Sequence, residues 1–320
     1  MRLLITGGAG FIGSNFVRMI LNSQQNYISR VTVLDKLTYA GTKTNLADLD
    51  SKEFEFIEGD ICDSLLVHEL SKRSDLIVNF AAESHVDRSI KNSREFMMTN
   101  FVGTHTLLEA AKNSGVSTFL QVSTDEVYGS ITRGFATESD LLAPNSPYAA
   151  SKAAADLICR AYGKTYNLDV RITRCSNNYG RNQYPEKVIP FFITRLIEGK
   201  KLPIYGNGNN VRDWLHVDDH CRGILSVLQS GSPQQIYNIG GGTELTNMQL
   251  SRVILDAFDK SESEIELVPD RLGHDFRYAV DYSKISKETG YKSLVPWGSG
   301  IVEIINWYKE NENWWRPLLL

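Results

Sequence analysis

Thr6-Gly7-Gly8-Ala9-Gly10-Phe11-Ile12-Gly13 near the start of the chain and Tyr148-Ala149-Ala150-Ser151-Lys152 near its middle are stretches whose residue types and spacing could do chemistry. The first follows an aliphatic run and leads into a helical pattern. Glycines allow a tight turn, and the N-terminus of the following helix would face a pyrophosphate, so this is the context of a dinucleotide-binding turn. Gly7, Gly10 and Gly13 are spaced G-x-x-G-x-x-G rather than the commoner G-x-G-x-x-G. Asp35 closes a second strand pattern 22 residues after Gly13. A carboxylate there could accept hydrogen bonds from an adenosine ribose and repel a 2′-phosphate, which favours NAD over NADP. An Asp that only closes a turn is the alternative, and the coincidence with the glycine turn argues against it. Gly59-Asp60-Ile61 and Ala81-Ala82 end the next two strand patterns, where they could line the adenine and nicotinamide paths.

Tyr148 and Lys152 are four residues apart, so a helix brings both to one face. A nearby ammonium together with nicotinamide charge would lower the phenol's pKa and let a phenolate take an alcohol proton as hydride leaves. Tyr-x-x-x-Lys alone arises often by chance. Its weight comes from the glycine turn and from a strand pattern that ends in Val122-Ser123-Thr124. His216-Val217-Asp218-Asp219-His220 puts two histidines four apart beside carboxylates, but no third metal ligand accompanies them, and a helix start with acids in its first turn explains the run better. No metal is expected.

These groups need a frame. Short β-branched runs at 2–6, 30–35, 53–58, 76–79, 118–123 and 169–174 alternate with helical patterns at 10–22, 64–73, 93–114 and 148–166. This is the signature of successive βαβ units. The expected fold is α/β: a modified Rossmann fold with a doubly wound parallel sheet, plus a smaller mixed α/β substrate-binding lobe. Right-handed crossovers gather the strands' C-terminal ends on one edge, where such sheets bind ligands. From Cys175 onward the pattern is loop-rich, so the expected division is 1–174 for the dinucleotide domain, with 212–239 partly returning to it, and 175–211 with 240–320 for the second lobe. Trp314-Trp315-Arg316-Pro317 and the leucines after it are apolar enough to dock on the body or on a partner.

Thirty-four basic against 38 acidic residues leave a net charge of −4, which offers no strong positive field for nucleic acid or anionic membrane. No apolar run approaches a membrane span, and the N-terminus has no room for a secretory h-region, so a cytoplasmic setting is expected. Cys62, Cys159, Cys175 and Cys221 are far apart and read as reduced thiols.

With these residues in view, the chain resembles the extended short-chain dehydrogenases/reductases, and among them the nucleotide-sugar 4,6-dehydratases of the dTDP-glucose type. The resemblance covers essentially the whole length. It is carried by residues 6–13, Leu34-Asp35-Lys36-Leu37-Thr38-Tyr39-Ala40-Gly41, Ala81-Ala82-Glu83-Ser84-His85-Val86-Asp87-Arg88-Ser89, Ser123-Thr124-Asp125-Glu126-Val127-Tyr128-Gly129, residues 148–152, Asn177-Asn178-Tyr179-Gly180, Val211-Arg212-Asp213-Trp214 and Asp270-Arg271-Leu272-Gly273-His274-Asp275. Thr-Asp-Glu is the most specific, because related sugar epimerases share the other features but usually lack the adjacent acidic pair.

The resemblance implies NAD as cofactor, held by Gly7, Gly10, Phe11, Ile12, Gly13, Asp35, Lys36, Thr38, Asp60, Ile61, Ala81, Ala82, Tyr148 and Lys152. It implies that Tyr148, assisted by Thr124 and Lys152, deprotonates the sugar 4-hydroxyl as C4 hydride passes to NAD. Glu126 then takes the C5 proton, Asp125 protonates the departing 6-hydroxyl, and hydride returns to C6. Two carboxyl groups can divide acid and base roles if their surroundings push their pKa values apart. The implied partner is dTDP-glucose, with Ser84, Thr124, Asn177, Lys187, Tyr205, Arg212, Asn247, Arg271 and His274 on the substrate side; guanidinium forks such as those of Arg212 and Arg271 suit diphosphate oxygens. Helices near 94–114 and 148–166 match those that form a four-helix bundle in the family, which implies a homodimer. A 4-epimerase or 5,6-dehydratase on the same scaffold, or a catalytically silent NAD-binding sensor, are the rivals.

Overall fold

The computed structural model describes residues 1–23 and 27–319. Twelve strands run in chain order: β1 Arg2–Thr6, β2 Arg30–Asp35, β3 Phe54–Glu58, β4 Leu76–Asn79, β5 Thr118–Thr124, β6 Val170–Cys175, β7 Asn177–Tyr179, β8 Leu202–Tyr205, β9 Val211–His216, β10 Ile236–Ile239, β11 Glu244–Thr246 and β12 Ile265–Val268. Seven form one sheet in the order β10-β6-β5-β4-β1-β2-β3, with every neighbouring pair parallel. The order reverses between β1 and β4, so a crevice opens at the C-terminal ends of these strands, where ligands of doubly wound sheets bind.

Side chains alternate across this sheet as a pleat requires. Leu3, Ile5, Val31, Val33, Leu120 and Val122 pack with the helices Phe11–Asn22 and Val217–Ser230. Leu4, Ile77, Phe119, Val170 and Ile172 face the other way, toward Ser64–Lys72, Thr104–Ser114 and Pro147–Tyr166. With both faces covered, the strands read as near-continuous apolar runs. The helix that carries Tyr148 starts where the sequence allows: the Ser146 hydroxyl accepts the Ala149 N–H, and Pro147 occupies the first turn. Arg174 and Asp156, both fully buried, join this helix to β6 through an Nε–Oδ2 bond of 2.8 Å.

The second lobe has its own core. Ile189, Phe192, Leu202, Trp214, Leu250, Ile254, Ile301, Ile304, Tyr308 and Trp315 pack among the helices Val188–Ile197, Asn247–Asp256 and Trp297–Glu310. A three-stranded sheet β11-β9-β7 and the pair β12-β8 complete it. The terminal tryptophans dock on the body: the Trp315 indole N–H donates to the Tyr308 carbonyl and that of Trp314 to Asn45 Oδ1.

Several expected elements are redrawn. The segment expected to return to the first domain divides at His216. Residues 211–216 form β9 in the small sheet, and the helix Val217–Ser230 together with β10 belongs to the large one. His216 caps this helix, its Nδ1 accepting the Asp218 N–H, with Asp218 and Asp219 in the first turn. The continuous helix expected over 93–114 is interrupted: Arg94–Phe96 and Thr104–Ser114 flank a π-helical stretch, Met97–Gly103. A short helix, Val86–Lys91, has no counterpart in the periodicity reading. Among the described residues no helix is long and apolar enough to cross a membrane, and no cluster of three metal-ligating side chains occurs.

Candidate active site

A solvent-open cleft lies over the C-terminal ends of the large sheet. Its lining includes all fourteen residues expected to hold a dinucleotide, from Gly7 and Gly10 through Asp35, Lys36, Asp60 and Ala82 to Tyr148 and Lys152. Thr124, Asp125, Glu126, Ser84, Asn177, Asn178 and Lys187 line the same space.

At one end of the cleft the glycine turn is sterically obligatory. Gly7 has φ +69°, and a Cβ there would lie 2.5 Å from the Ala81 nitrogen. At Gly13 a Cβ would lie 2.2 Å from the Gly7 carbonyl oxygen. Strand, turn and helix therefore meet backbone to backbone, and no side chain caps the first turn of Phe11–Asn22. Its N–H groups are left for an anion. Asp35 is held in place by its own loop, Oδ2 accepting the Ala9 N–H at 2.9 Å and Oδ1 the Leu37 N–H at 2.8 Å. Each oxygen keeps a lone pair for a ribose hydroxyl. Burial raises the Asp35 pKa, and those two N–H groups oppose the shift. Lys36 and Asp60 form an ion pair, Nζ–Oδ2 2.8 Å.

At the other end, β5 delivers Thr124 and the next turn delivers Asp125 and Glu126. The Thr124 hydroxyl accepts the Glu126 N–H and lies within 3.3 Å of Asp125 Oδ1. Asp125 is 3% exposed and its Oδ2 has no partner among the described residues. Burial, then the neighbouring charges of Glu126 and Asp213, push its pKa well up and favour its protonated form. Glu126 is raised by burial too, but Arg271, Arg212 and Lys187 pull it back. Those surroundings separate an acid from a base.

Tyr148 and Lys152 come from the facing helix, and Lys152 Nζ donates to the Val122 carbonyl at 2.7 Å. Burial lowers the Lys152 pKa, with Asp156 one turn further along the helix opposing. Tyr148 differs from the expectation of a lowered pKa: burial first, then Glu126, raise it well above the ordinary phenol value, and a hydrogen bond with Thr124 pulls the other way. Burial and the Glu126 charge thus favour the protonated phenol in the protein alone. Lowering it requires a further positive charge in the cleft.

Tyr205, Arg212, Asn247, Arg271 and His274 lie outside the cleft lining. Asp87 gathers two of them, accepting from the Tyr205 hydroxyl at 3.1 Å and standing 3.6 Å from Arg271 Nη1. His274 Nδ1 bonds Asp270 Oδ1 at 2.6 Å, and its ring meets Tyr205 edge-on. The buried guanidinium of Arg212 donates to the carbonyls of Val211, Asp275 and Phe276 and stacks 4.3 Å from the Tyr278 ring, so much of its fork serves the protein. Asn247 opens a helix next to the 208–210 turn and joins none of these groups.

Other contributors carry no local motif. Asn100, placed by the π-helical stretch, accepts the Glu83 N–H and donates to the Glu83 carbonyl and Ser151 Oγ, which fixes one cleft wall against the Tyr148 helix. Arg88 stacks 3.7 Å over Tyr39 and bonds Glu186, while Tyr39 meets Tyr184 edge-on, so loops from both lobes close over the middle of the cleft.

Comparison with known proteins follows the same lines. Residues 4–304 match the family model for GDP-mannose 4,6 dehydratase. A dTDP-glucose 4,6-dehydratase from an Actinoplanes species is 51% identical over 98% of this chain and all of its own length. The crystal structure of DesIV, a dTDP-glucose 4,6-dehydratase from Streptomyces venezuelae solved with NAD bound, is 54% identical, superposes with a TM-score of 0.98, and is matched over 99% of this chain and 100% of its own. A UDP-glucose 4-epimerase from Thermotoga maritima has a TM-score of 0.89 at 28% identity, over 98% of this chain and 100% of its own.

Proposed function

We propose, for a chain that belongs to the GDP-mannose 4,6 dehydratase family of extended short-chain dehydrogenases/reductases, an NAD-dependent dTDP-glucose 4,6-dehydratase activity that yields dTDP-4-keto-6-deoxyglucose and water. The observation that carries this reading is the adjacent pair of Asp125, buried, and Glu126, half-buried, in the same cleft as Tyr148 and the glycine turn. A 4-epimerase needs only the hydride machinery, and a silent NAD sensor needs neither Tyr148 nor Lys152. Water loss needs both an acid and a base, and the surroundings of Asp125 and Glu126 favour that division.

The residues present fit NAD. The uncapped helix start beyond Gly10 suits its pyrophosphate, the free lone pairs of Asp35 suit an adenosine ribose, and the close-packed Gly7 and Gly13 leave the approach open. Bound NAD supplies a reversible hydride acceptor and a positive ring beside Tyr148. Tyr148 would then take the proton of the sugar 4-hydroxyl, with Thr124 bonding its oxygen and Lys152 one helical turn away. A ketone at C4 acidifies the C5 hydrogen, which Glu126 would remove while Asp125 donates a proton to the leaving 6-hydroxyl; return of the hydride to C6 and of the Glu126 proton to C5 would complete the product. Ser84, Asn177 and Lys187 would serve the sugar, and Tyr205 and Arg271 beside Asp87, with His274 edge-on to Tyr205, the nucleotide.

Gly13→Ala tests the cofactor assignment. The added methyl meets the Gly7 carbonyl, so NAD affinity is expected to fall about tenfold or more, roughly 1.4 kcal/mol. Titration of nucleotide-free protein with NAD, followed by tryptophan fluorescence, reads the change, and an unaltered affinity would move the pyrophosphate elsewhere. The activity itself is tested by mass spectrometry of dTDP-glucose incubated with the protein, with and without added NAD. Loss of one water to a 4-keto sugar supports the dehydratase, whereas unchanged mass with an altered sugar makes it an epimerase.

The same reading includes a cytoplasmic homodimer. Met97, Met98 and Phe101 on one helix and Leu157 on the neighbouring one are apolar and 36–53% exposed, and a second copy would cover them as a four-helix bundle. Sedimentation equilibrium should give twice the chain mass, and Leu157→Glu should shift it toward one chain; a monomeric unmodified protein would discard the bundle.

A further inference from the structure

We propose that Tyr278 is a positioning residue for Glu126, turning its phenol oxygen toward that carboxyl so that Glu126 can hold the proton it abstracts. The assignment rests on the dehydratase reading above. Tyr278 is 3% exposed, and its oxygen lies 2.8 Å from Asp275 Oδ2 and 3.4 Å from Glu126 Oε2. A phenol has one proton to give. The shorter bond to a carboxylate takes it, so Glu126 faces the oxygen lone pairs. An ionised Glu126 gains nothing from lone pairs, whereas a protonated one can donate to them. The arrangement therefore favours the product of proton abstraction.

The surroundings hold this geometry from two directions. Asp275 Oδ1 accepts from Asn145 Nδ2 at 2.6 Å, and Asn145 immediately precedes the Ser146 cap of the Tyr148 helix. Arg212 stacks on the Tyr278 ring at 4.3 Å and bonds the carbonyls of Asp275 and Phe276. The segment that carries Arg271 and His274 is thereby tied both to the base and to the helix of Tyr148. Other groups also act on Glu126: Arg271, Arg212 and Lys187 favour its ionised form, while Asp275 favours the protonated one, and Asp125 and Tyr148 share its field.

Tyr278→Phe removes the acceptor oxygen and Asp275→Asn removes the charge that orients the phenol proton. In both, protonated Glu126 loses support, so its pKa falls. With NAD and dTDP-glucose saturating, the acidic limb of the kcat profile is expected to move down by about half to one pH unit. The plateau should fall about tenfold with KM little changed, and deuterium uptake from solvent at C5 should slow in parallel. Circular dichroism and NAD binding establish that each variant is folded; because loss of the Asp275 charge lowers the Glu126 pKa by itself, the phenol's part is read from Tyr278→Phe and from whether adding Tyr278→Phe to Asp275→Asn moves the limb further. A lowered plateau with an unmoved limb in the folded variants means that Tyr278 only packs, and overturns the proposal. Failure of the unmodified protein to form product refutes the dehydratase reading instead.

Discussion

Tyr148→Phe is expected to lower turnover of dTDP-glucose about a thousandfold while NAD stays bound and KM changes little. The phenol is buried between Thr124 and the Glu126 carboxylate, and the protein's own field holds its proton on. That proton state is the wrong one for a base. It becomes useful only when a cationic ring arrives, so the field couples the phenol's basicity to cofactor occupancy. Phe keeps the ring that packs edge-on against Phe96 and removes only the oxygen, so the fold should survive. Single-turnover measurement of 4-keto sugar formation, with NAD content measured on the same sample, reads the effect. Residual turnover within tenfold of the unmodified enzyme would hand the role to Thr124 or to solvent.

Asp125→Asn should cut product formation by about two to three orders of magnitude and raise the melting temperature. The Asp125 pKa is raised in the folded state, chiefly by burial and then by Glu126 and Asp213. A raised carboxyl is fully compatible with folding below its unfolded pKa and increasingly costly as pH rises through the folded one. As pH rises, the unfolded chain ionises this group more readily than the native chain, so the native state is penalised. Asn has nearly the same shape and no such penalty. Thermal unfolding at neutral and at acidic pH gives the check, because the stabilisation should shrink as the pH drops. A destabilised, inactive variant at all pH values would mean that Asp125 is structural.

Much of the frame was legible in the sequence, for identifiable reasons. Strands buried on both faces leave apolar runs, Gly7 and Gly13 are required by backbone contact, and Ser146-Pro147 writes the start of the Tyr148 helix into three residues. All of these are local. The π-helical turn at Met97–Gly103 escaped because apolar spacing does not distinguish one extra residue per turn, although that residue is what lets Asn100 reach Glu83 and Ser151. Tyr278, Asp275 and Asn145 escaped because their meaning lies in contacts across 130 and 152 positions. Arg212 was read as a phosphate fork from its charge, whereas its hydrogen bonds show a guanidinium largely occupied by carbonyls. The lowered Tyr148 pKa expected from Lys152 and nicotinamide charge together is opposed, in the protein by itself, by burial and Glu126.

The position of β10 also bears on how such chains can be recombined. Ile236–Ile239 pairs with β6 in the large sheet although β7, β8 and β9 intervene in sequence, so the second lobe leaves the large sheet at one point and passes back through it before it ends. Asn238 seals that passage, accepting from the Tyr128 hydroxyl and donating to the carbonyls of Ala136 and Asp281. A chimaera that exchanges substrate specificity between relatives therefore cannot be made with one crossover. The segments on both sides of β10 must be inherited from the same parent, with β10 itself left to the parent that supplies β6.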